Sequence, residues 1–391
     1  MCRIKIRCSL INKKKFIPVF KPLITRSDID AVRKALLAGW ISSYGPIVEN
    51  FEKNFSKKVN RKFSAAVSSG TAALDIVLKA AGIKKNDEVI LSNFTIATNL
   101  LSVIKASAKP ILIDCSLKDW NIDIDVLKKT ITRKTKAIIF THIYNFPVNI
   151  KEIVKICRMK KILLIEDSAE VLGLSYDKFT CGSIGDVSVF SLYANKQITA
   201  GEGGVISTNN KELYLKFKDY RNLCFGKKDR FNHSDIGWNS RITSMQCALA
   251  NNQLKRLSQI VKKKKEIGEK YFRKLNKIRF LKVMPTKNEN GQKNIFWVVG
   301  VVIKKNKFLY AKKMMTILKT KYQIETRPFF FPLNKQDFLK REKIKIKGKF
   351  PNSVYLSKYG FYVPNSLDIK VSEINYICNA IKETIHKYIK S

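Results

Sequence analysis

Lys196 stands between an apolar run and a glycine-rich turn: residues 186–204 read DVSVFSLYANKQITAGEGG. Val187, Val189, Phe190 and Leu192 read as a buried strand, and Gly201, Gly203 and Gly204 as a tight turn. Val205 to Thr208 reads as a second apolar run. A lysine just beyond a buried strand, in a loop held by glycines, is partly desolvated and held still. Such an amine can lose its proton near neutral pH and attack an aldehyde to form a Schiff base. With 75 Lys and Arg residues in the chain, the ordinary reading of any one lysine is a solvated surface charge. Two neighbours set Lys196 apart. Ser191, at the end of the same run, can hold a phosphate. Ile162 to Asp167 (ILLIED) is an apolar strand ending in a carboxylate, and open α/β sheets bind ligands at the carboxyl ends of their strands. A strand-end Asp, a phosphate-binding Ser and a loop Lys are the parts a pyridoxal 5′-phosphate site needs. The Asp keeps the pyridine nitrogen protonated, so that the ring acts as an electron sink.

The elements around these residues read as alternating strands and helices. Glu88–Leu91, Pro110–Asp114, Ala137–His142 and Ile162–Asp167 are strands. Asp123–Lys129 and Ile150–Met159 are intervening helices, and Ser68-Ser69-Gly70-Thr71 opens an apolar helix through Ala81. The alternation predicts an α/β fold with a mainly parallel sheet. Small residues at a helix N-terminus leave N–H groups free for an anion, although an ordinary cap looks the same. Upstream, Ser27 with Asp30 predicts a helix start and Gly39 its stop. Ser240 to Val261 predicts one long amphipathic helix, and Lys262 to Lys265 a solvated face. From about Ile278 the pattern becomes a smaller α/β unit: a strand at Phe296–Ile303, a helix at Ala311–Lys319, and a last helix capped by Ser372. The expected division is a basic extension (1–16), a large α/β unit (17–262) and a small one (263–391).

Composition sets the outer limits. The 391 residues are enough for a large core, and no apolar run reaches the length of a membrane-spanning helix. The net charge of +44 would suit a nucleic-acid or membrane-surface binder. Yet the lysines are spread along the whole chain and no aromatic-basic recognition motif accompanies them. The expectation is no specific nucleic-acid partner and no membrane insertion, with a positive field that draws in anionic small molecules. The eight cysteines show no CxxC pair and no metal-ligand spacing, which predicts reduced, buried thiols in a cytoplasmic protein and no metal site.

Six segments in order carry a resemblance from about Ile17 to the C-terminus: GWISSYGPIVENFE (39–52), SSGTAALDIVLKAAGI (68–83), IEDSAEVLG (165–173), FSLYANKQITAGEGG (190–204), GWNSRITSMQCALANNQLKRL (237–257) and ETRPFFFPL (325–333). Together they resemble the DegT/StrS family of sugar-nucleotide aminotransferases. The resemblance implies a fold-type I pyridoxal-phosphate transferase, like aspartate aminotransferase, with L-glutamate and a keto-sugar nucleotide as substrates. Lys196 would carry the cofactor and Asp167 would hold its ring nitrogen. Gly70, Thr71 and Ser191 would cradle its phosphate, and Glu170 would lie near its ring. Asn239 would reach the phosphate in a second copy, which implies a homodimer with composite sites. Trp40 and Ser42 would line the substrate mouth, and Arg327 would engage an anionic or hydroxyl-rich substrate. Lys196 argues against the dehydratase branch, which carries His there; Glu170 favours the branch acting at the 4-keto carbon of a GDP-linked 6-deoxy sugar, with another keto carbon or a UDP- or dTDP-linked sugar as the alternative.

Three positions depart from the family pattern. Ile96 stands where an aromatic residue usually covers the cofactor ring, an exchange that removes a stacking contribution of about 0.5–1.5 kcal/mol; Phe94 is the nearest aromatic replacement. Asn145 stands where Gly is usual, and Asn tolerates a left-handed backbone. Asn334 replaces a His, which removes any acid-base role there. His142 reads equally as a packing residue at a strand end and as a site residue.

Overall fold

Thirteen strands build three sheets in this computed structural model, which describes residues 16–145, 150–176, 179–287, 291 and 293–389. In chain order they are β1 (Phe63–Val67), β2 (Glu88–Ser92), β3 (Lys109–Ile113), β4 (Thr135–Thr141), β5 (Leu163–Asp167), β6 (Ser175–Tyr176), β7 (Phe179–Thr180), β8 (Val187–Ser191), β9 (Gly204–Thr208), β10 (Leu281–Val283), β11 (Val299–Ile303), β12 (Arg327–Pro328) and β13 (Gly360–Val363). The central sheet has the order β1-β9-β8-β5-β4-β2-β3. Strands β3, β2, β4, β5 and β8 are mutually parallel, and β9 runs antiparallel to both β8 and β1. The ends of β2, β4, β5 and β8 therefore open on one edge. A second sheet, β10-β11-β13-β12, is wholly antiparallel, and β6 pairs with β7 in a small hairpin.

Side-chain alternation divides the core. Phe140, Leu164 and Phe190 face one apolar cluster, while Ile139, Ile165 and Val189 face the other. These strands are apolar on both faces because helices cover both faces. The expected α/β architecture is thus observed, with a mainly parallel sheet and a second sheet in the C-terminal part.

Several local expectations are corrected. The first helix, Arg26–Leu37, is capped by Thr25, not Ser27: Asp28 accepts from both the Thr25 N–H (2.8 Å) and its hydroxyl (3.0 Å). Residues 240–261 are not one helix. Ser244–Lys255 starts at a Thr243–Gln246 capping box, and a second helix, Leu257–Leu275, follows a break at Arg256. The Arg256 guanidinium pairs there with the buried Asp28, which ties the break to the first helix. Lys264 is not solvated; it is 1% exposed and is taken up below. The strand expected from Phe296 begins at Val299, because Phe296 has a left-handed backbone (φ 53°). The last helix, Val371–Tyr388, is capped at Lys370, whose N–H donates to Glu373; Ser372 already lies inside it. The turn after β4 has its left-handed residue at Tyr144 (φ 44°), one before Asn145. Of the basic extension, residues 1–15 lie outside the described residues. Cys115, Cys157, Cys181, Cys224, Cys247 and Cys378 are free and buried, and Cys2 and Cys8 are not described.

Candidate active site

The ladder between β4 and β5 sets Thr141 beside Asp167. Asp167 is buried, and its Oδ2 accepts from Thr141 Oγ1 and from Asn99 Nδ2, each at 3.1 Å. Its Oδ1 accepts from the Ala169 N–H at 3.2 Å. Asn99 sits in the helix Ala97–Lys105, whose N-cap is Ile96. The preceding residue of β5, Glu166, points the opposite way, as strand alternation requires. It accepts from the Gly185 and Ile184 N–H groups (both 3.0 Å) and pairs with His142 Nε2 at 3.0 Å. Burial works against its charge, but the His142 and backbone donors win, holding its pKa down to about 2. Of the two adjacent carboxylates, one anchors the sheet and the other faces the site. His142 belongs with the anchor.

Glu170 is not the surface carboxylate that its type suggests. It is 3% exposed, in the turn after β5, and accepts from the Tyr144 N–H at 2.6 Å. Burial pushes its carboxyl up to about 8, against the opposing pull of the Lys196 amine. Lys196 lies in the loop after β8, its N–H donating to the Tyr193 carbonyl at 2.9 Å. Its Nζ sits 3.8 Å from the centroid of the Trp297 ring. Burial lowers its pKa, while Glu170 and Asp167 act to raise it. The three groups are near enough to act on one another's charge, with the Lys196 residue itself half-buried.

Beside them lies an anion cup. Ser191 ends β8; its hydroxyl oxygen accepts from the Tyr193 N–H at 3.2 Å, which leaves its hydrogen to donate outward. Opposite is the helix Gly70–Ala80, where Ser69 Oγ caps the Ala72 N–H. The Gly70 and Thr71 amides precede that capped position and face the helix end. A Cβ on Gly70 would lie 3.3 Å from Ser191 Cβ, and one on Gly204 would lie 2.5 Å from the Ser69 carbonyl. Gly204 therefore lets the strand pass against the Ser69 backbone, and Gly70 sits close against Ser191.

These residues fit pyridoxal 5′-phosphate. They supply an amine held between a ring and two carboxyls, a strand-end carboxylate oriented by neutral donors, and a helix N-terminus beside a free hydroxyl hydrogen. Asn99 Oδ1 and Asn195 Oδ1 are buried here without a hydrogen-bond partner among the described residues.

Not every expected site residue joins this cluster. Ile96 is 41% exposed at the start of the Asn99 helix. Phe94 is fully buried, packed on Tyr144, Phe329 and Phe330, so it covers no open face. Arg327 is exposed on β12, paired across the ladder with Tyr362. Burial pushes the Tyr362 hydroxyl up to about 12, and it feels both Arg327 and Glu170, so Arg327 borders the site. Asn334 is taken up by Asn93, as described below. Trp40, Ser42 and Asn239 have other partners on this chain. Trp40 packs on Gly45, and Asn239 is exposed and bridged to Asn222. Ser42 lines a separate cavity of about 670 Å³ with Arg221, Arg230 and Arg241. Conversely, Asn99, Thr141, Tyr144, Trp297 and Tyr362 enter the site unannounced. Thr141 was legible as a strand-end polar residue; Trp297 was hidden in an apolar run.

Architecture and site together place the chain among the fold-type I pyridoxal-phosphate-dependent transferases. Its solved neighbours have the same fold. A GDP-4-keto-6-deoxymannose-3-dehydratase with bound GDP-perosamine superposes with a TM-score of 0.86 at 24% identity, over 94% of this chain and 100% of that one. The chain belongs to the DegT/DnrJ/EryC1/StrS aminotransferase family, whose model matches residues 22–382. It is accordingly a pyridoxal-phosphate-dependent sugar aminotransferase. Among curated relatives, it is 31% identical over 369 residues to GDP-perosamine synthase of Escherichia coli O157:H7, covering 94% of this chain and 98% of the relative. It is 30% identical over 366 residues to GDP-perosamine synthase of Vibrio cholerae, with the same coverage.

Proposed function

We propose that the chain transfers an amino group from L-glutamate to the 4-keto carbon of GDP-4-keto-6-deoxymannose, giving GDP-perosamine for a surface polysaccharide such as O-antigen. The reading rests first on the Lys196 amine, desolvated between Glu170, Asp167 and the Trp297 ring. The full-length likeness to two GDP-perosamine synthases supports the acceptor.

In this reading Lys196 would hold the cofactor through its aldehyde carbon, and its free amine would move a proton at the donor α-carbon and at the sugar carbon. The cofactor, when bound, supplies the electron sink and carries the amino group between the two substrates. Asp167, fixed by Thr141 and Asn99, keeps a proton on the ring nitrogen. Ser191 and the Gly70 and Thr71 amides hold the phosphate. Glu170, kept neutral by burial, lies beside the lysine as a proton partner. Arg327 orients an anionic group of either substrate. Asn239 reaches the cofactor phosphate of a second copy in a homodimer, and Trp40 and Ser42 line the substrate mouth. The unit boundary near 262–263 and a cytoplasmic location belong to the same proposal.

The test is the visible absorption spectrum of the protein with pyridoxal 5′-phosphate, before and after L-glutamate, followed by keto-sugar nucleotides. A cofactor band that bleaches with glutamate and returns with the GDP-linked 4-keto sugar is expected. A band that ignores glutamate overturns the donor. A return only with UDP- or dTDP-linked sugars overturns the acceptor.

A further inference from the structure

Trp297 touches the reactive loop twice. Its indole Nε1 donates to the carbonyl of Asn195 at 2.8 Å, and its ring face lies under Lys196 Nζ at 3.8 Å. One side chain thus fixes the backbone just before the lysine and the amine itself. Trp297 is 5% exposed and stacks on Tyr144 (6.2 Å, 23°), whose own N–H holds Glu170.

The backbone of Trp297 is pinned in turn. Its carbonyl accepts from Asn365 Nδ2 at 2.8 Å and from Lys264 Nζ at 3.5 Å, and the Lys264 amine also donates to the Asn365 carbonyl at 2.8 Å. Lys264 is 1% exposed, and its two hydrogen bonds go to carbonyls. Burying an amine this way is costly, and its hydrogen bonds offset the cost only when the carbonyls stay in place. The lysine is thus spent on fixing the segment that carries Trp297.

We infer that Trp297, anchored through Lys264 and Asn365, is a positioning residue that sets both the place and the proton affinity of the Lys196 amine. The inference rests on the reading of Lys196 as the cofactor lysine. A ring face attracts an ammonium, so Trp297 favours the charged form. The Glu170 and Asp167 carboxyls face the amine and act in the same direction, Glu170 only where it ionises, and Tyr144 and Tyr362 are held neutral by burial. Burial acts oppositely. The ring therefore moderates how readily Lys196 gives up its proton and keeps the amine over one spot.

The test compares Trp297→Leu, Trp297→Phe and a ring-fluorinated tryptophan placed at position 297. In cofactor-free protein, the pH dependence of Lys196 acylation, followed by mass spectrometry, reports its free amine. In Trp297→Leu the acylation curve moves to lower pH, because the charged form loses its ring face. With cofactor bound, bleaching by glutamate slows about tenfold at unchanged half-saturating glutamate, since alignment and not binding is lost. Trp297→Phe keeps the parent acylation curve. Fluorinated tryptophan keeps the shape and the N–H, so it reproduces the Leu shift without a packing defect, and it decides the matter if Leu is not accommodated. Lys264→Met, which keeps the volume, slows bleaching about threefold. An acylation curve and bleaching rate equal to the parent's in the fluorinated protein overturn the inference. A cofactor band that survives Lys196→Ala overturns the underlying reading instead.

Discussion

Asn93 and Asn334 exchange a pair of hydrogen bonds across 241 positions of sequence. Asn93 Nδ2 donates to Asn334 Oδ1 at 3.0 Å, and the Asn334 N–H donates to Asn93 Oδ1 at 2.8 Å. The Leu333 N–H donates to the Asn93 carbonyl at 3.0 Å. The pair ties the end of β2 to the segment that follows β12. At this position Asn334 is a latch, with its side-chain acceptor already used.

Asn334→Ala leaves the backbone bond and strands the Asn93 amide. The expected loss is about 1 kcal/mol of stability, read as a lower urea midpoint at unchanged slope. A midpoint equal to the parent's removes the latch.

Lys196→Ala deletes the only amine placed between Glu170 and Asp167 among the described residues. Turnover should vanish while circular dichroism and the unfolding midpoint stay near the parent's. Activity comparable to the parent would show that another group does the proton transfer.

Ile96→Tyr restores an aromatic ring at an exposed helix cap beside the Asn99 helix. Stacking of about 0.5–1.5 kcal/mol corresponds to pyridoxal phosphate held about two- to tenfold tighter. Equilibrium titration of the cofactor-free protein checks this; equal or weaker binding means that the side chain at 96 does not meet the ring.

Glu170 gives a pH signature. Its ordinary pKa is 4.5 and its folded value is about 8, so between these the folded chain keeps a proton that the unfolded chain releases. Its contribution to stability is therefore complete below about 4.5 and is lost as pH climbs to about 8. Lys196 acts in the opposite sense: its lowered pKa gives a contribution present above 10.5 and lost as pH falls through the folded value. Glu170→Gln removes the first slope. Its urea midpoint should decline less than the parent's across the 4.5 to 8 window; parallel curves would place the proton elsewhere.

Much of the site was legible because its chemistry is local. Lys196 and Asp167 each follow an apolar run, and the Ser69-Gly70 helix start carries its own cap. The misses are tertiary. Lys264 reads as solvated because nothing local shows that carbonyls at Trp297 and Asn365 will enclose it. Residues 240–261 read as one helix because the apolar spacing continues through Arg256. Only the distant Asp28 turns the chain there. Glu170 reads as exposed by type, and Tyr144 from another strand end buries it. Ser27 and Ser372 are good caps by type, but the acidic partners Asp28 and Glu373 select the residues three before them. Trp40 and Ser42 at the substrate mouth, and Asn239 at a second copy's cofactor, rest on resemblance, because no local pattern in the chain marks them.

The place of β9 in the central sheet also constrains how the protein is born. Val67 pairs with Gly204, and β1 touches the rest of the sheet only through β9. A nascent chain that has emerged as far as β8 has made the Ser69-Gly70 half of the anion cup and the Ser191 half. It lacks the strand that holds them against each other. Vectorial synthesis therefore leaves β1 an unsatisfied edge until Thr208 has cleared the ribosome. On this ordering, the cofactor's phosphate finds its seat late in synthesis, and a chain truncated before β9 has no edge on which to capture it.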